Sequence, residues 1–199
     1  MRTGILNPAN MLTMLRIMLV PLYLWLFAIK TWEAVALALI VFVIAAVTDL
    51  YDGKLARSRK EITKFGKFLD PLADKFLVIG ALVQFWVMSL VNFWLVVIIV
   101  LRDVWVTIMR IIAIKNGTEL KTSSDAKLKT TIQLTAIITT IVFTGVRLIV
   151  MEFFPDYSGQ WINIENYRTF FNGLLLVAVV FTLYSWIRYI FQRSPAKTS

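Results

Sequence analysis

Six apolar runs, each close to the length that crosses a lipid bilayer, constrain this chain of 199 residues more than any other feature. A bilayer core takes about 20 mostly apolar residues per helix. Segments of that kind lie at about 12–29, 34–52, 70–88, 93–114, 130–151 and 169–190. The fold expected from them is all-α: one polytopic membrane domain over 1–199, with six transmembrane helices. Composition agrees. Hydrophobic residues make up 59% of the chain and charged residues 17%, and the mean hydropathy is +0.75, which excludes an ordinary soluble globular domain, a disordered tail and a repeat solenoid. The first run is not expected to be a cleaved signal peptide, because Ile17 to Ile29 lacks a small-residue cleavage site and Lys30-Thr31-Trp32 follows directly.

The chain has no cysteine and no histidine. Disulfides, thiol nucleophiles, imidazole metal sites and Ser-His-Asp relays are thereby excluded, and any chemistry must run on carboxylates, cations, hydroxyls and backbone. A net charge of +9 would suggest nucleic acid in a soluble protein. In a membrane protein it reports the anionic cytoplasmic leaflet, so no nucleic-acid partner is expected. Lys54, Arg57, Arg59, Lys60, Lys64 and Lys67 oppose only Glu61 between runs two and three, and Lys115, Lys121, Lys127 and Lys129 oppose Glu119 and Asp125 between runs four and five. The segment 152–168 is acidic instead, with Glu152, Asp156 and Glu165. The positive-inside rule then puts the 53–69 and 115–129 loops, and both termini, in the cytoplasm. Arg2 and Arg16 mark one terminus, Arg193 and Lys197 the other.

Four carboxylates stand where the apolar runs begin or end. Asp49 and Asp52 are three apart, and Asp70 and Asp74 four apart, so each pair shares a helical face. The two helices meet through one cytoplasmic loop, which lets the pairs converge at one depth. Four acids so close would repel strongly. Hard divalent cations relieve the repulsion, and an oxygen-only donor set selects Mg²⁺, Mn²⁺ or Ca²⁺ over zinc or copper. Four acids suit two metals about 3.5–4 Å apart, an arrangement that clamps phosphate oxygens during in-line displacement. Gly53 leaves room for a ligand to approach the backbone, and Pro71 is expected in the first turn of the third helix, where its missing N–H costs nothing.

The spacing D-x2-D-G-x2-A-R-x8-G-x3-D-x3-D is complete from Asp49 to Asp74, and it resembles the signature of the CDP-alcohol phosphatidyltransferases. Further stretches resemble the phosphatidylglycerophosphate synthases within that family. They are Asn7-Pro-Ala-Asn10-Met-Leu12-Thr13-Met-Leu-Arg16 with Pro21, Leu101-Arg102-Asp103 with Arg110, and Lys127-Leu-Lys129-Thr130-x-x-Gln133. Asp103 replaces the usual Glu, and Ala126 the usual Gly. The likeness runs from about residue 7 to 135, and the last 60 or so residues carry no specific match.

The resemblance implies transfer of the phosphatidyl group from CDP-diacylglycerol to sn-glycerol 3-phosphate, giving phosphatidylglycerol phosphate and CMP. Asp49, Asp52, Asp70 and Asp74 would hold two Mg²⁺ or Mn²⁺, and Asp74 would also take the proton from the attacking hydroxyl. Asn10, Thr13, Gly53, Ala56 and Arg57 would line the CDP-diacylglycerol site. Arg110, Lys127 and Lys129 would hold the acceptor phosphate, a role their charge at the same membrane face also supports. The implied setting is a bacterial cytoplasmic membrane, with the site facing the cytoplasm and the protein a homodimer. Inositol phosphate, serine or another phosphatidyl lipid stand as alternative acceptors. A divalent-cation transporter is the alternative from another class, disfavoured because the acids cluster at one membrane face. Arg102-Asp103 reads equally as an ion pair within the bundle or as a substrate contact.

Overall fold

A computed structural model describes residues 8–59, 64–115, 124–157, 159 and 163–192, with side chains at 11–12, 14–48, 75–109, 111–112, 128, 130–157, 159 and 163–184. The described residues form six helices and no strand: α1 (Pro8–Ala28), α2 (Trp32–Arg59), α3 (Lys64–Val87), α4 (Phe93–Lys115), α5 (Ser124–Phe153) and α6 (Ile164–Gln192). Their ends follow local chemistry. Lys30 takes a left-handed φ of 63° and closes α1, after which Thr31 Oγ1 accepts the Ala34 N–H at 3.4 Å to open α2. Ser89, with φ 58°, turns the chain after α3. Asn92 Oδ1 then accepts the Trp94 N–H at 2.9 Å, while the Asn92 N–H donates to Asn172 Oδ1 at 2.7 Å and ties the start of α4 to α6.

The helices run past the apolar segments that announce them. α2 continues to Arg59 and α3 begins at Lys64, so most of the segment expected as a loop at 53–69 is helical. Hydropathy marks the part of a helix that prefers hydrocarbon, whereas the backbone ladder needs only unbroken i to i+4 bonding. Pro71 is accordingly not in a first turn. It lies seven residues inside α3, where it withholds a donor from the Lys67 carbonyl.

Two stretches, Thr130–Phe153 and Ile164–Tyr184, are long and apolar enough to cross a membrane; Met14–Ala28, Trp32–Thr48 and Lys75–Val87 are shorter apolar helical stretches. Helix α1 packs on α2 and α3, α5 on α2, α3 and α6, and α4 on α3 and α6. An aromatic cluster fills the centre of the first group: Tyr23 stacks on Phe27 and meets Phe42, and Phe27 meets Phe85. Large apolar side chains also cover the outside. On α4, Leu101, Val104, Trp105, Ile108 and Ile112 are exposed while Asp103 and Thr107 are buried. A soluble protein seldom exposes so continuous an apolar face; a hydrocarbon solvent selects this distribution, polar groups inward and apolar groups outward.

Candidate active site

The motif residues fall on neighbouring helices at one end of the bundle, here called the motif end. Asn10 and Thr13 lie near the start of α1; Asp49, Asp52, Gly53, Ala56 and Arg57 in the last part of α2; Asp70 and Asp74 in the first part of α3. Arg110 lies in α4, and Lys127 and Lys129 in α5. The side chains of all these residues lie outside the described ones, so their placement is that of the helical backbone. Among the described side chains no three acids gather to hold a metal.

Ring contacts fix the levels. Tyr23 packs on Phe42 with ring centroids 5.4 Å apart, across the antiparallel α1 and α2. Seven residues further toward the motif end on each helix, Arg16 is level with Asp49. Phe27 packs on Phe85 at 5.5 Å, across the parallel α1 and α3, and Val20 and Leu24 sit 3.5 and 3.6 Å from where a Cβ would stand on Gly80. Eleven residues back from the Phe27–Phe85 contact, Arg16 is level with Asp74. Asp52 and Asp70 each lie about one turn nearer the motif end. The four carboxylate positions thus occupy two levels about 5 Å apart.

Arg16 is fully buried. On the sequence it read as a positive-inside residue at the chain's start and as the last position of the family-like stretch from Asn7 to Arg16. The signal that could have found it is that it is the lone charge inside the apolar run 12–29, where ionisable residues are functional by default.

The other helices bring polar groups to the same depth. Asp103 of α4, also buried, accepts a bond from Arg102 Nη1 at 3.1 Å and lies 3.9 Å from Lys75 Nζ of α3, the residue after Asp74. The ion-pair reading of Arg102-Asp103 is therefore the one observed, extended across to α3. The backbone of α5 meets α2 where Val35 lies 3.4 Å from a Cβ built on Gly145. Twelve residues toward the motif end from that contact, the buried Gln133 is within a turn of Asp49. From the Asn92–Asn172 bond, ten residues along α4 and α6 bring the buried Thr182 level with Arg102. Five helices thus place Arg16, Lys75, Arg102, Asp103, Gln133 and Thr182 in one polar layer, with the aromatic cluster beyond it. Lys129, Lys127 and Arg110 lie about 6–12 Å nearer the motif end than this layer.

An oxygen-only donor set of two carboxylate pairs, carried at matched levels on adjacent helices, fits a hard divalent cation and no softer metal. A model of the CDP-alcohol phosphatidyltransferase family matches residues 6–184. The chain belongs to the CDP-alcohol phosphatidyltransferase family. Its relatives include a protein of Sodalis glossinidius named CDP-diacylglycerol–glycerol-3-phosphate 3-phosphatidyltransferase, 32% identical over 195 residues and covering 94% of each chain. One of Cereibacter sphaeroides with the same name is 40% identical over 157 residues, 76% of this chain and 70% of its own. A protein of Mycobacterium tuberculosis named probable phosphatidylglycerophosphate synthase is 39% identical over 139 residues, 68% of this chain. That match spans 66% of the mycobacterial relative's length, just under two thirds. The family match extends into α6, as far as residue 184, well beyond the residues at which the sequence motifs stop.

Proposed function

We propose that this chain transfers the phosphatidyl group of CDP-diacylglycerol to sn-glycerol 3-phosphate, releasing CMP and forming phosphatidylglycerol phosphate. The observation that carries the reading is the complete aspartate signature on two adjacent helices in a chain whose near full-length relative bears the name of that reaction. The bundle would cross a bacterial cytoplasmic membrane six times as a homodimer, with both termini and the motif end in the cytoplasm, in keeping with the basic segments at that end.

Asp49, Asp52, Asp70 and Asp74 would hold two divalent cations, Mg²⁺ or Mn²⁺. When bound, such a pair supplies positive charge against the diphosphate and the departing CMP oxygen. The chain's own groups do the rest. Asn10, Thr13, Gly53, Ala56 and Arg57 bind the nucleotide end of the donor. Arg110, Lys127 and Lys129 hold the acceptor phosphate nearer the motif end, leaving the acceptor's C1 hydroxyl to reach the level of the aspartates. Asp74 takes the proton of that hydroxyl as its oxygen bonds to the phosphorus bearing the diacylglycerol, and the bond from that phosphorus to the CMP oxygen breaks. Lys75 and Arg102, paired with the buried Asp103, brace α3 against α4 beside Asp74.

The test is CMP release from CDP-diacylglycerol by the purified protein in detergent with Mg²⁺. Glycerol 3-phosphate, inositol 1-phosphate and serine are offered separately. Release with glycerol 3-phosphate alone, reduced at least about 100-fold in Asp74→Asn, is the expected result. Release only with another acceptor overturns the acceptor assignment, and folded protein that releases no CMP with any of them overturns the activity.

A further inference from the structure

Gln133 is a buried polar side chain that the reaction as described leaves without work. It is 3% exposed, and its Nε2 finds no hydrogen-bond partner among the described residues. Buried amide groups are nearly always paired, and an orphan signals a ligand or an ordered water. Its surroundings offer little relief. The stripe it shares on α5 continues through the buried Ala136, Ile137, Thr140 and Ile141, and the Thr140 hydroxyl already donates to the Ala136 carbonyl at 2.8 Å. Thr182 Oγ1 is likewise unpartnered, but it lies on α6, which packs on α4 and α5 and not on the aspartate-bearing helices. By contrast α5 touches both α2 and α3. Gln133 also stands one turn deeper than Lys129 on the same face, at the depth of Asp49.

We propose that Gln133 is an acceptor-contacting residue whose side-chain amide donates a hydrogen bond to the secondary hydroxyl of a three-carbon phosphate acceptor. The proposal rests on the acceptor reading above and deepens it. A phosphate held at the level of Lys129 and a C1 hydroxyl at the level of the aspartates leave C2 between them, on the side of Gln133 toward the start of α5, the direction in which helical side chains tilt. A site that leaves a buried amide unpaired when the hydroxyl is missing discriminates against the deoxy analogue far more sharply than an apolar pocket does.

The test compares kcat/KM for sn-glycerol 3-phosphate and for 1,3-propanediol phosphate, which lacks only the C2 hydroxyl. Wild type, Gln133→Met and Gln133→Asn are assayed on CDP-diacylglycerol micelles with Mg²⁺. Wild type is expected to prefer glycerol 3-phosphate by about tenfold or more. Gln133→Met should bring that ratio close to one and leave KM for CDP-diacylglycerol unchanged, and Gln133→Asn, its amide drawn back by one methylene, should fall between. A purely packing role would lower both rates and keep their ratio. Equal use of the two acceptors by wild type overturns the proposal without any variant, so misfolding of Gln133→Met does not shelter it. An unchanged preference in a folded variant overturns it too. If wild type releases CMP with neither acceptor, the activity reading falls and takes this inference with it.

Discussion

Arg16 shows how much one residue can say about what surrounds it. A guanidinium stays charged at any accessible pH and cannot shed its charge when buried, so its full burial requires negative charge nearby. Asp49 and Asp74 stand at its level in the helix register. In Arg16→Met the level of the aspartates loses a fixed cation, and removing one partner of a buried ion pair costs about 3–5 kcal/mol. Mg²⁺ would replace part of the missing charge. The variant should therefore lose more thermal stability relative to wild type in EDTA than in Mg²⁺, read as unfolding midpoints in detergent. Equal losses in both would mean that Arg16 answers to something other than the aspartates proposed to bind metal. At this scale the sequence marks the aspartates as candidates, because their spacing is itself the signal. Arg16 and Gln133 were legible as positions of the family-like stretches, but their burial was not, since that depends on which helices pack together.

Between residues and the whole molecule, the six helices were readable from hydropathy, and their ends were not. The apolar runs at 34–52 and 70–88 stop where hydrocarbon preference stops, yet α2 and α3 carry on to Arg59 and back to Lys64. Pro71 illustrates the cost of placing an end too late: a proline that looked like a helix starter proves to lie within a helix. Contacts between helices were equally hidden. The start of α4 is held by the carboxamide oxygen of Asn172, 80 residues away, and nothing near Asn92 announces it. Asn172→Ala should cost about 1 kcal/mol, the usual worth of one such bond, and lower the unfolding midpoint while leaving KM for both substrates unchanged. A changed KM would mean that the α4–α6 tie also sets the position of the polar layer.

Taken whole, the bundle has its polarity reversed relative to a soluble protein, with Arg16, Asp103 and Gln133 inside and Leu101, Trp105, Val180 and Tyr184 outside. Beyond the polar layer lies about 16 Å of close-packed helix, filled by Tyr23, Phe27, Phe42 and Phe85. Among the described residues that filling leaves no passage to a charged molecule, so in the proposed reaction acceptor, metal and CMP would all arrive and depart at the motif end. The consequence is sidedness. In sealed vesicles that take up the protein in both orientations, an acceptor added outside reaches only the molecules whose motif end faces out. The remainder should stay latent until detergent opens the vesicles, and with equal orientations the rate should then rise about twofold, whereas a bundle open from both faces would show no latency at all.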